Sequence, residues 1–230
     1  LNAIDVILNS YSLLNTIFWR DELKVKQTLL DIEHNIQFRK ETDRIMWFSM
    51  WVVLAVASFG IAWFLMIYYL IKRRNAHFSR QQKLEELILD KINSANRKKT
   101  KIDSSEQKNQ LLPRNSLGLT LLTVLIVPAF YVFYFLKNDL QKHEEHEHDF
   151  LSKVITLTRD SDVPLDIKSF VTSSSISTKK YVVLSVVTCG LAAVYWLYRI
   201  FNDYNSHFKM QWLIEDELLS FLIETEKKVS

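Results

Sequence analysis

Residues 45–71 read IMWFSMWVVLAVASFGIAWFLMIYYLI, 27 consecutive positions without a charge between Arg44 and Lys72. A helix needs about 20 apolar residues to cross the hydrocarbon core of a bilayer, so this stretch predicts a membrane-crossing helix. Two further runs follow the same rule. Asn115–Leu136 is charge-free between Arg114 and Lys137, and Tyr181–Tyr198 between Lys180 and Arg199. Ile200 and Phe201 prolong the third run past Arg199, whose aliphatic stem can snorkel. Buried helices of a soluble protein are the competing reading, but 230 residues are few to cover three of them. Trp47, Trp51, Tyr68 and Tyr69 flank the first run, and Tyr181, Tyr195, Trp196 and Tyr198 the third. Such rings favour the headgroup region. Pro128 predicts a kink inside the second run.

The expected fold class is therefore an all-α integral membrane protein. It has three transmembrane helices (45–71, 117–136 and 181–201), long amphipathic helical extensions and an internal parallel repeat. A mean hydropathy of −0.01 averages apolar rods with a charged exterior. The single cysteine, Cys189, excludes an intramolecular disulfide framework and a cysteine-based zinc finger. Three glycines scattered at 60, 118 and 190 exclude phosphate-binding loops and a nucleophile elbow. A net charge of +3 is too small to argue for nucleic acid. No adjacent nucleophile and base suggest catalysis, and no enzymatic activity is expected.

Charge sets the expected orientation. Residues 72–116 carry twelve Lys or Arg, residues 137–180 seven, residues 1–44 six and the tail from Arg199 four. The positive-inside rule places the helix and basic loop at 72–116 in the cytoplasm. It follows that the amphipathic segment 1–44 and the His/Glu-rich helix and loop at 137–180 lie outside, and the tail 202–230 inside. The protein is thus expected in the cell membrane, N-terminus outside and C-terminus cytoplasmic. The chain opens on Leu1, and an initial hydrophobic segment is expected to precede it, cleaved or absent.

Sliding the sequence along itself aligns Trp51–Leu89 with Tyr181–Leu219 without a gap, 13 of 39 positions identical. The pattern N-x-H-F-x-x-Q-x-x-x-E occurs in both copies, at Asn75 and at Asn205. With one crossing between them, the two copies point the same way, a parallel repeat about a pseudo-two-fold axis. The first copy lacks the span that opens the second. Ser58, Gly60 and Ala62 correspond to Thr188, Gly190 and Ala192, small residues expected to let spans one and three approach closely. His77, Gln81 and Glu85 form one polar stripe at i, i+4, i+8, and His207, Gln211 and Glu215 its copy. The two stripes are expected to face each other and exchange hydrogen bonds.

The segment Gly190-Leu-Ala-Ala-Val-Tyr195-Trp196-Leu-Tyr198-Arg199, preceded by Thr188 and followed by Asn205, His207 and Phe208, resembles the signature of a prokaryotic family of small integral membrane proteins of unknown function. The likeness covers about forty residues, and the first copy departs from it at Met66 and Ile67. It implies a polytopic helical protein and no activity.

Half of the six histidines lie in 143–148. On a helix, Asp139, His143, His146 and Glu147 share one side, a donor set that suits zinc or copper. Spacings of this kind also arise in any charged helix, so no cofactor is the base expectation. Among functions, a non-enzymatic scaffold or accessory subunit of a larger membrane complex ranks first. Its partners would be the lipid bilayer and other membrane subunits or further copies of itself. An extracytoplasmic transition-metal binding or delivery protein ranks second. A transporter or channel subunit ranks third, disfavoured by spans without a charge.

Overall fold

The computed structural model describes residues 23–24, 26–95, 111–159, 165 and 178–229. Residues 1–22 of the expected amphipathic segment, most of the basic loop and most of 159–177 lie outside these residues. Among the described residues all elements are helical: α1 (26–37), α2 (Arg39–Thr42), α3 (Phe48–Ala57), α4 (Ile61–Ala95), α5 (Ser116–Leu122), α6 (Ile126–Thr158), α7 (Thr178–Val187) and α8 (Leu191–Val229). The all-α expectation holds.

The three crossing helices do not form. Each apolar run is broken in the middle, and among the described residues no helix is long and apolar enough to cross a membrane. In the first run, the Gly60 N–H donates to Ala55 O at 2.7 Å and the Phe59 N–H to Val56 O at 3.2 Å. This is the Schellman closure of a helix, which requires a left-handed residue after the cap. Phe59 supplies it with φ 51°, and Gly60 follows at φ 92°. The next helix starts at once, its Ala62 N–H donating to Ser58 Oγ at 2.8 Å. The third run repeats the device with Cys189 at φ 50°, Gly190 at φ 95° and the Ala192 N–H on Thr188 Oγ1 at 3.0 Å. The second breaks at 123–125, just before Pro128. That proline falls in the first turn of α6, where an N–H would have no intrahelical partner.

At each break the chain turns back on itself. Trp51 and Tyr69 would stand about 27 Å apart on a straight helix, yet their rings are 6.0 Å apart. Tyr181 stacks on Trp196 at 5.2 Å, and Arg114 Nε reaches Asp139 Oδ2 at 2.7 Å. Three helical hairpins result, α3–α4, α5–α6 and α7–α8, with tips at 58–60, 123–125 and 188–190, evenly spaced along the chain. The two copies aligned in the sequence are thus the first and third of three units. The middle unit opens with α5, so the first copy does not lack a span.

This architecture also revises the role of the small residues. A Cβ added to Gly60 or Gly190 meets nothing within 4 Å, so neither glycine serves close helix packing. Ser58, Gly60, Ala62, Thr188, Gly190 and Ala192 instead build the hairpin turns.

The long helices α4, α6 and α8 run parallel. Near the tips Arg74 pairs with Asp139 at 2.8 Å and Lys137 with Asp203 at 2.9 Å. Further down, Glu85 pairs with His146 at 3.0 Å and Lys91 with Glu226 at 2.7 Å. Residues 72–95 and 137–158, expected on opposite faces of a membrane, therefore lie side by side at one end of one bundle. The physical reason is the break in the second run, which returns α6 in the direction of α4 instead of carrying it across. The segment preceding Arg44 is not separate either. Its helix α1 packs antiparallel to α4 and α8, placing Ile32 and Ile36 in the lower core with Leu84, Ile88, Leu218 and Phe221. An upper core near the tips joins Met66, Leu70, Val132, Leu136, Trp196 and Phe201. Between these two apolar cores lies a belt of buried polar side chains.

Candidate functional site

The belt is built where the three long helices keep polar residues on their inner faces. Its middle layer holds one histidine from each: His77 of α4, His143 of α6 and His207 of α8, all buried. They sit at nearly equal depth beyond the starts of their helices, about 24 Å from the tips at about 1.5 Å per residue. His77 Nε2 lies 3.1 Å from His207 Nε2. The His143 ring is 5.3 Å from His77 and 5.2 Å from His207, centroid to centroid. One nitrogen from each of the three falls within 4.8 Å of the others.

Asp43, in the loop between α2 and α3, backs this layer. Its Oδ1 stands 2.9 Å from His77 Nδ1 and accepts from Thr42 Oγ1 at 2.7 Å. Its Oδ2 accepts from Arg80 Nη2 at 2.7 Å and Trp212 Nε1 at 3.1 Å. Burial raises the pKa of such a carboxyl, but His77, Arg80 and Thr42 outweigh it and hold Asp43 well below the usual carboxylate range. His143 and His207 are driven the other way. Burial, with the neighbouring histidines, pushes both well below the ordinary imidazole value, so they are neutral at pH 7.

Below lies a second polar layer. Arg80 Nη2 bridges Asp43 to Glu215 Oε1 at 2.7 Å, and Gln81 Nε2 donates to the same Glu215 oxygen. Glu147 is buried, with Oε1 unpartnered. Burial first, then Glu85 and Glu215, raises its pKa well above the ordinary carboxyl value. Above the histidines, Asp139 accepts from Arg74 Nη2 at 2.8 Å and from Arg114 Nε at 2.7 Å.

The polar stripes seen in the sequence thus stand opposite each other through His77–His207 and Gln81–Glu215, while Glu85 turns to His146. The four residues grouped as a metal set do not converge. Asp139 is engaged by two arginines, His146 lies at the rim on Glu85, and Glu147 sits a turn below. Only His143 enters the three-helix layer. The sequence pairs His77 and His207 with each other, and what it leaves unread is their joining with His143 and the part of Asp43. A signal for that joining existed: His77, His143 and His207 recur along the chain at almost the same interval as the hairpin tips.

At the opposite end the hairpin tips expose apolar side chains. Phe59 is fully exposed, and Val56, Val124, Leu125, Val186 and Leu191 keep most of their area open. No charged residue lies between Ile45 and Ile71 or between Asn115 and Leu136. No protein family, curated protein or solved structure matches the chain. The resemblance around Gly190–Arg199 rests on those residues alone.

Proposed function

We propose that the protein is a non-enzymatic, membrane-seated scaffold or accessory subunit. Its three hairpin tips enter one leaflet of a bilayer, and its charged body stands in the adjoining water to engage other subunits or a second copy. The observation that carries this reading is the exposed, charge-free apolar end. Twelve aliphatic or phenylalanine side chains around the three tips, Phe59, Val124 and Val186 among them, keep most of their area exposed. Burying an aliphatic or aromatic side chain is worth about 1.5–3 kcal/mol, so lipid around this end offers on the order of 20 kcal/mol. Contiguous patches of this kind mark interaction sites.

The dimensions favour lipid as the occupant. The apolar part of α4, from Ile61 to Lys72, is about 16 Å long, close to half of a hydrocarbon core about 30 Å thick. Exposed Trp47, Tyr69, Tyr131, Tyr134, Tyr195 and Tyr198 ring the base of the apolar end. Lys72, Lys137, Lys179, Lys180 and Arg199 follow immediately. An aromatic belt backed by basic residues suits a headgroup region.

The test is flotation of the purified chain with liposomes, with and without a carbonate wash. The wild type is expected to float and to resist carbonate. A Phe59→Asp/Val124→Asp/Val186→Asp variant is expected to stay at the bottom with its helicity intact. A wild type that remains monodisperse in water and ignores liposomes overturns the reading, and detergent-free dimers joined at the tips would identify a second copy as the occupant instead.

A further inference from the structure

We propose that His77, His143 and His207 form a three-histidine binding site for a first-row transition-metal dication, with zinc as the reference ion. Asp43 Oδ1 lies 2.9 Å from His77 Nδ1, which anchors that edge of the ring and leaves Nε2 facing His207 inside the bundle. Glu144 Oε1 stands 3.6 Å from His207 Nδ1, a longer approach than a hydrogen bond. The inner nitrogens of His77 and His207 face each other at 3.1 Å, close enough for both to reach one shared ion. His143 Nε2 is buried with no hydrogen-bond partner. Unsatisfied buried groups are rare enough in folded proteins to require a cause, and a metal ion shared with His77 and His207 supplies one for His143.

The distances suit such an ion. Two imidazole nitrogens each about 2.0–2.1 Å from one zinc, at angles near 95–110°, lie about 3.0–3.4 Å apart. The His77–His207 separation of 3.1 Å is already in that range. The third nitrogen, within 4.8 Å of the others, needs to move inward by about 1.4 Å at most to reach that spacing. The Asp43 carboxylate behind His77 is the outer-sphere arrangement that fixes a metal-binding imidazole and raises its basicity. One ligand per parallel helix also makes the site a consequence of the three-unit architecture, independent of how the apolar end is seated. Asp139, His146 and Glu147 have no part in it.

The full chain, purified in mild detergent and stripped with chelator, is titrated with Zn2+ by calorimetry and with Co2+ by visible absorption. One ion per chain is expected, with the intense d–d bands of low-coordinate Co2+. His143→Leu and His207→Leu each should weaken binding at least 100-fold. Asp43→Asn, which keeps every ligand, should weaken it 10–100-fold, and His146→Ala should bind as the wild type. X-ray absorption of the zinc-loaded wild type, which needs no variant to fold, should show three imidazoles at about 2.0–2.1 Å. Absence of binding to the wild type, undiminished binding to a helical His143→Leu/His207→Leu chain, or a first shell of carboxylate oxygens would each overturn the site.

Discussion

Replacing Gly60 and Gly190 by alanine separates a hairpin from a straight helix by the sign of one measurement. In a continuous apolar helix, Gly→Ala stabilises by about 1 kcal/mol, because glycine is the poorer helix former. In the hairpins both glycines have φ above 90°, a region that L side chains enter at a cost of about 1–2 kcal/mol. An added Cβ meets nothing within 4 Å at either site, so no steric clash or filled cavity confuses the result. The two turns lie in separate hairpins and their costs should add. The double variant is therefore expected to lose about 2–4 kcal/mol, where a straight helix would gain about 2. At about 2–4 °C per kcal/mol for a chain of this size, the melting temperature falls by roughly 5–15 °C instead of rising. Phe59→Gly supplies the mirror experiment. The φ of Phe59 is 51° and its side chain meets only the lipid or detergent around the tip, so Phe59→Ala and Phe59→Gly lose the same apolar contact and differ in backbone strain. The glycine variant should be the more stable of the two by about 1 kcal/mol, whereas in a straight helix it should be the less stable by about 1 kcal/mol. Thermal unfolding in detergent, followed by far-ultraviolet circular dichroism, reads all three. A stabilised Gly60→Ala/Gly190→Ala chain refutes the hairpins.

Other consequences test the polar belt. Asp139→Ala leaves the buried Arg74 guanidinium without its carboxylate and should cost about 3–5 kcal/mol in urea unfolding; a loss below about 1 kcal/mol would show that Arg74 has another way to be satisfied. Ser58→Ala removes the acceptor for the Ala62 N–H and should cost about 1 kcal/mol, against no change if Ser58 only packs. The raised carboxyl of Glu147 has a defined sign. Between the unfolded value of about 4.3 and its folded value, the folded state holds the extra proton. Its stabilising contribution is complete below pH of about 4 and is lost as pH rises through the folded pKa. Glu147→Gln should match the wild type at pH 4 and exceed it increasingly towards pH 8, as measured by urea midpoints; a constant difference across that range would contradict the assignment.

Much of this fold was legible in the sequence, but not its breaks. The apolar runs marked where helices lie, and the internal repeat gave the relative direction of α4 and α8 and the register of His77 with His207. The turns were hidden because an isolated glycine in an apolar helix is ordinarily tolerated, and Phe59 and Cys189 are not residues that announce a left-handed conformation. The middle unit was harder still. Its turn at Thr123–Leu125 contains no glycine, and His143 is offset by one position from its counterparts. A crossing α6 would run opposite to α4, an arrangement that keeps His143 from His77 and leaves only its polar neighbours along the helix to be grouped with it. Asp43 illustrates a different limit. It lies far along the chain from the histidine it orients, in a loop with no motif of its own, so only the packing of α1 and α2 against α4 and α8 reveals it.

The common direction of the three long helices is the centre of this account, and side-specific labelling tests it most directly. In a Cys189→Ser background, single cysteines are placed at the exposed positions Lys83 of α4, Ser152 of α6 and Glu224 of α8. The chain is reconstituted in vesicles, sorted by orientation, and treated with a membrane-impermeant maleimide. All three positions should react from the same side. Labelling of the Ser152 position only from the side opposite Lys83 and Glu224 would restore an alternating, membrane-crossing chain and contradict the parallel bundle.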